Sequence, residues 1–208
     1  MTMETLAKLF GSAAKVKIIR LFLFNPDSPY GLLDISEKSK ESPAKVRAEM
    51  GNLEKLGLVR RKVFYKTQNK KRGKKILNKR VKVRGWTLNR DFTYRVSLQN
   101  FLTSLYQQGS RDMVRKFSKA GNIKLIIISG VFIQDPESRI DLLVVGDHLR
   151  RGSIEGVIRS VEAEMGRELR YSIFETSDFL YRLGMYDKLI RDILDYPHTK
   201  LVNKIGSI

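Results

Sequence analysis

The chain has 208 residues, with 40 Lys/Arg against 22 Asp/Glu, two histidines and no cysteine, for a net charge of +18. The missing cysteine excludes a disulfide framework, a thiolate nucleophile and a cysteine zinc site, and His148 and His198 have no metal-ligand spacing, so neither a metal nor a cofactor is expected. The longest apolar runs, such as Leu125–Ile128, are too short to span a bilayer, and the N-terminus lacks the charged-then-apolar order of a signal peptide; no membrane contact and a cytoplasmic location are expected.

The charge is unevenly spread. Residues 1–120 hold 28 Lys/Arg and 9 Asp/Glu, net +19, whereas residues 121–208 hold 12 and 13, net −1. This asymmetry points to a nucleic-acid module joined to something else.

In chain order, Ala13 to Phe24 carries apolar residues at Val16, Ile18, Ile19, Leu21, Phe22 and Leu23, a helical stripe. Ser12 is placed to cap it, and Asn25-Pro26 to end it. Gly31 to Ser39 predicts a second short helix with Leu32, Leu33 and Ile35 inward. Ser42-Pro43 is a helix-start signal, with Ser as N-cap and Pro at the first helical position. The third helix runs from Pro43 to about Leu56, with Val46, Met50, Leu53 and Leu56 expected to face the core. Gly57 is expected to terminate it, and Leu58-Val59 to start a strand.

From Arg60 to Arg95 the chain holds fifteen Lys/Arg against one acid, Asp91. Phe64, Tyr65 and Trp86, with the β-branched Val63, Val81, Val83 and Thr87, flank the most basic part. They predict two strands around a basic loop rather than a disordered tail. Fifteen like charges in this stretch repel one another, which costs stability unless a polyanion is present.

The segment SPAKVRAEMGNLEKLGLVRR resembles the recognition-helix region of winged helix-turn-helix transcriptional regulators. Leu53, Leu56, Gly57, Leu58 and Val59 carry the likeness, which covers roughly residues 5–95. The resemblance implies that Ser42, Lys45, Arg47, Ala48 and Asn52 face the DNA major groove. It also makes the basic loop, roughly Lys66 to Arg84, the wing. Expected contacts to double-stranded DNA on and beside that wing are Arg60, Arg61, Lys66, Lys70, Lys71, Arg72, Lys74, Lys75, Lys79, Arg80, Lys82 and Arg84. DNA is favoured over RNA because the aromatics are scattered and do not form a base-stacking signature.

Two amphipathic stretches follow. Val96 to Gln107 has Leu98, Phe101, Leu102, Leu105 and Tyr106 on one stripe, and Arg111 to Ala120 has Met113, Val114 and Phe117, with Gly109 between them. Either stretch offers a surface for a homodimer or for docking one domain on the other; for Arg111 to Ala120, packing into the core of the second domain is an equal expectation.

The last part alternates strand and helix. Strands are predicted at Ile123–Ser129, Ile140–Val145 and Leu169–Phe174, and helices at Ser153–Met165, Ser177–Gly184 and Met185–Leu194. Lys124 to Gly146 resembles the nucleotidyltransferase superfamily that includes DNA polymerase beta. In that superfamily a Gly-Ser turn follows the first strand, an Asp-x-Asp pair opens the second, and a third carboxylate completes a two-Mg²⁺ site. Here the turn is Ser129-Gly130-Val131-Phe132. The pair is Arg139-Ile140-Asp141, and the third position, within Arg170–Phe174, has no acid, with Glu175 just beyond. Asp135-Pro136-Glu137 reads as a turn. One carboxylate cannot hold two Mg²⁺, so the resemblance implies a degenerate site (Ser129, Gly130, Arg139, Asp141) without catalytic residues. Asp141 is expected to cap the strand or to pair with a base such as Arg139.

The fold expected is α+β: a winged helix over 1–95, a helical linker over 96–121 and a small α/β nucleotidyltransferase-like domain over 122–208. The function expected is a sequence-specific double-stranded DNA-binding transcriptional regulator. Its inactive second domain would meet a nucleotide or protein partner. The alternatives are an active nucleotidyltransferase recruited to nucleic acid by its winged helix, and an antitoxin-like partner protein.

Overall fold

A computed structural model describes residues 3–72, 75–104, 110–133, 135 and 137–206. The protein is a mixed α+β structure with two small sheets, divided into two compact units. One unit comprises Met3–Leu102 with Ala163–Arg167; the other comprises Thr103–Glu162 with Glu168–Ile208.

The first unit opens with α1 (Met3–Phe10) and α2 (Ala13–Phe24). The Ser12 hydroxyl accepts the Lys15 N–H at 3.0 Å, so α2 begins where its cap residue predicts. Val16, Ile18, Ile19, Leu21, Phe22 and Leu23 are all buried. A two-residue strand, β1 (Tyr30–Gly31), leads into α3 (Leu32–Ser39), and α4 (Pro43–Lys55) follows. The strands β2 (Val59–Arg72) and β3 (Lys75–Leu88) then form a long antiparallel ribbon. The sheet order is β1-β3-β2, all antiparallel. A Cβ on Gly85 would stand 2.1 Å from the Tyr30 carbonyl oxygen, so only glycine lets β1 approach β3 here. The helix α5 (Arg95–Ser104) follows, and Leu102 is its buried anchor.

Two residues expected in the core are not there. Leu33 is 74% and Leu56 64% exposed. Leu33 lies two residues from the buried Ile35, about 200° round the helix, so the two cannot share a face. Leu56 has drifted about 80° from the line set by Val46. Core packing therefore stops at Leu53.

In the second unit, α6 (Ser110–Phe117) precedes a four-stranded sheet of order β6-β5-β4-β7. Its strands are β4 (Asn122–Ile128), β5 (Leu142–Asp147), β6 (Tyr171–Glu175) and β7 (Thr199–Asn203). Pairing of β4 with β5 and with β7 is antiparallel, and β5 with β6 is parallel. The parallel pair needs a crossover, which α7 (Arg151–Met165) provides. The helices α8 (Thr176–Gly184) and α9 (Lys188–Asp195) contribute Phe179, Ile190 and Ile193 to a cluster with Leu125, Ile127, Leu143 and Val145. The alternate residues Ile126, Leu142 and Val144 are buried as well. Both faces of the sheet are thus covered, which is why these strands read as continuous apolar runs. Among the described residues, no helix is long and apolar enough to cross a membrane.

Candidate nucleic-acid interface

Helix α4 starts at Ser42, whose hydroxyl accepts the Lys45 N–H at 3.5 Å, with Pro43 at the first helical position. It ends at Leu56 and Gly57. The Gly57 N–H bonds the Glu54 carbonyl at 3.0 Å and the Leu58 N–H bonds the Leu53 carbonyl at 3.1 Å. This is a Schellman turn, and it needs the left-handed φ of +75° that Gly57 adopts. Val46, Met50 and Leu53 are fully buried, whereas Ser42, Lys45, Arg47, Ala48 and Asn52 are exposed. The helix therefore buries one stripe and presents a polar, basic face to solvent.

The ribbon springs from the end of this helix. Its register runs without a break from Val59 opposite Leu88 to Arg72 opposite Lys75. Strand β1 touches β3 only at Gly85 and Trp86. Ten residue pairs, from Val63–Arg84 outward, thus form a bare two-stranded ribbon roughly 30 Å long. The span 63–84 contains ten Lys/Arg and no Asp/Glu. Arg60, Arg61, Lys66, Arg80, Lys82 and Arg84 are exposed. The Arg80 guanidinium lies 5.3 Å from the Tyr65 ring centre and that of Arg61 5.9 Å from Trp86. Lys70, Lys71, Arg72, Lys75 and Lys79 are placed by strand register alone, their side chains lying outside those described; Lys74 lies outside the described residues.

Carboxylates of the neighbouring helices and turns tie both α4 and the ribbon down. Glu54, near the end of α4, accepts the Arg61 Nε–H at 2.8 Å and the Trp86 indole N–H at 3.2 Å. Arg61 and Trp86 are directly opposite in the ribbon, so one side chain joins the helix to both strands. The hydrogen bond from Arg61, then that from Trp86, holds the Glu54 carboxyl below its ordinary range, and the same pairing raises Arg61. Asp34 of α3 accepts the Gly31 N–H at 3.0 Å and pairs with Lys66. Glu41 takes Lys17 at 2.8 Å and Lys45 at 3.5 Å. Burial pushes the Glu41 carboxyl up, but the hydrogen bond and charge of Lys17, joined by Lys45, outweigh it and leave it lowered. Three of the expected contacts, Lys45, Arg61 and Lys66, thus carry acid partners. Among the described residues, Arg47, Arg60, Lys82 and Arg84 form no ion pair. Sequence reading missed Glu54, because its partners lie 7 and 32 residues away.

In the second unit, Ser129, Gly130 and Asp141 meet at the end of β4. Asp141 is 1% exposed. One carboxylate oxygen accepts the Val131 N–H at 3.0 Å and Arg170 Nη2 at 3.3 Å. The other accepts the Arg170 backbone N–H at 2.9 Å and its Nε at 3.3 Å. The Ser129 hydroxyl is spent on the Ile140 carbonyl at 2.6 Å. Gly130 has φ +53°, and a Cβ there would sit 2.1 Å from the Asp141 carboxylate. Arg139 is not the partner of Asp141: it pairs with Asp192 at 2.8 Å. The partner is Arg170, which backbone contact at the head of β6 brings alongside. Glu175, the acid of β6, stands four register steps farther along than Tyr171, roughly 15 Å from Asp141. A two-metal site needs ions only about 3.5–4 Å apart. Asp135 forms the expected turn, its carboxylate accepting the Glu137 N–H at 3.1 Å. Among the described residues no group of three or more His, Asp or Glu is placed to hold a metal ion.

No protein-family model, curated protein or solved structure matches this chain.

Proposed function

We propose that the first unit is a winged-helix module that binds double-stranded DNA, and that the protein regulates transcription. The observation that carries this reading is the bare ribbon. It projects ten pairs beyond its sheet with nine cations in those pairs and no acid, and it starts beside a helix whose exposed face is polar and basic. An acid-free ribbon of this charge is costly alone and is relieved by a polyanion. The order α2, β1, α3, α4, ribbon supports α4 as the reading helix, with Arg47 and Asn52 able to offer bidentate contacts to guanine and adenine. The second unit, nucleotidyltransferase-like in this reading, acts as an interaction or sensor module rather than an enzyme. Its single aligned carboxylate is consumed by four hydrogen bonds, one from Val131 and three from Arg170. Sequence selection on random duplexes tests the reading. Arg47→Ala should flatten the preference at one base position, at a cost of about 1–3 kcal/mol there. Coincident profiles for the two proteins would remove α4 from the interface.

A further inference from the structure

Directly opposite residues in an antiparallel pair share a face, so the register sorts the cations of the ribbon into two sets. One face carries Arg61, Arg80, Lys82 and Arg84, around Tyr65 and Trp86. The other carries Arg60, Lys62 and Lys66, with Phe64, Val81 and Val83. All seven cations are exposed. A ribbon built to lie on one phosphate backbone would need cations on one face only. Here neither face has an acid of its own, and both are charged.

We infer that the ribbon is held between two phosphate walls, inserted into the major groove of a DNA duplex so that each face meets one strand's backbone. The inference rests on the DNA-binding reading above and says how that surface engages its partner. Groove width selects the site. A two-stranded ribbon carries side chains on both of its faces. The major groove, about 12 Å wide, admits it; the minor groove, about 6 Å, does not. The anchors agree with an insertion that leaves both faces available. Glu54 grips one face at its base through Arg61 and Trp86, and Asp34 grips the other through Lys66. The ribbon is thus held on one face at its root and on the other at its fourth projecting pair, while Arg80, Lys82 and Arg84 lie beyond the grip of Glu54.

The experiment uses the full chain and three proteins: wild type, the triple variant Arg80→Ala/Lys82→Ala/Arg84→Ala, and the triple variant Arg60→Ala/Lys62→Ala/Lys66→Ala. Affinity for a random-sequence duplex is measured across a salt series, with thermal melts confirming that each variant folds. Each lost phosphate contact makes the slope of log K against log salt shallower by about 0.9. Both triple variants should flatten the slope, each by up to about 2.7. A shift in one variant with an unchanged slope in the other would overturn the two-wall arrangement while leaving DNA binding intact. Displacement of the wild type by a minor-groove-filling ligand would likewise overturn the groove assignment alone. Failure of the wild type to bind any duplex would overturn the underlying reading and the inference with it.

Discussion

Replacing Asp141 by Asn separates a structural carboxylate from a catalytic one. The change keeps the shape but puts an NH₂ group where an oxygen now accepts two donors, whichever way the amide turns. Breaking a buried ion pair from one side costs about 3–5 kcal/mol. Arg170 keeps 49% of its side chain in solvent and can rehydrate, so the loss should be nearer 2–3 kcal/mol. In a unit of about a hundred residues, where 1 kcal/mol moves the midpoint by about 4–8 °C, this amounts to roughly 10–20 °C. Calorimetry of the full chain should show the transition of the second unit falling by that amount, with duplex binding unchanged. A carboxylate kept for metal chemistry behaves oppositely, since removing an unpaired catalytic charge commonly stabilises. A variant as stable as the wild type, or more so, would refute the structural role.

Three further outcomes follow from the same geometry. Gly85→Ala should unfold or severely destabilise the first unit in chemical denaturation, because its Cβ would overlap the Tyr30 carbonyl and break the β1–β3 pairing. Gly57→Ala meets no atom within 4 Å, so its cost is backbone strain alone, about 1–2 kcal/mol by denaturant midpoint. For Glu41 the sign is set by its lowered carboxyl: the stabilisation is complete above the ordinary value of 4.5 and is lost as pH falls through the folded value. The stability gap between wild type and Glu41→Gln should therefore be open at neutral pH and close as the pH is taken below 4.5.

Local signals were the readable part of this chain. Ser12, Ser42-Pro43 and Gly57 mark helix ends through contacts that span a few residues, and each sits where its chemistry requires. The ribbon was visible in its β-branched and aromatic residues, although its uninterrupted fourteen-residue strands were not. What escaped depends on distant chain. Strand β1 is two residues long and exists because Gly85 makes room for it; β7 is a strand because β4 offers an edge. Helix α1, only eight residues long, was not among the elements read from the sequence. Of the aligned site residues in the second unit, Ser129, Gly130 and Asp141 do come together. Arg139 does not join them, and Arg170, 29 residues from Asp141, takes the place expected of it. Pairings set by sheet register cannot be read from spacing along the chain.

The salt dependence of duplex binding by the intact protein reports whether the basic ribbon beside α4 engages DNA phosphates. Binding should be tight at low salt and weaken linearly on a log–log plot, with a slope of about −0.9 for each phosphate neutralised. Several contacts should therefore be counted. Binding that is absent at low salt, or a slope near zero, would contradict that engagement.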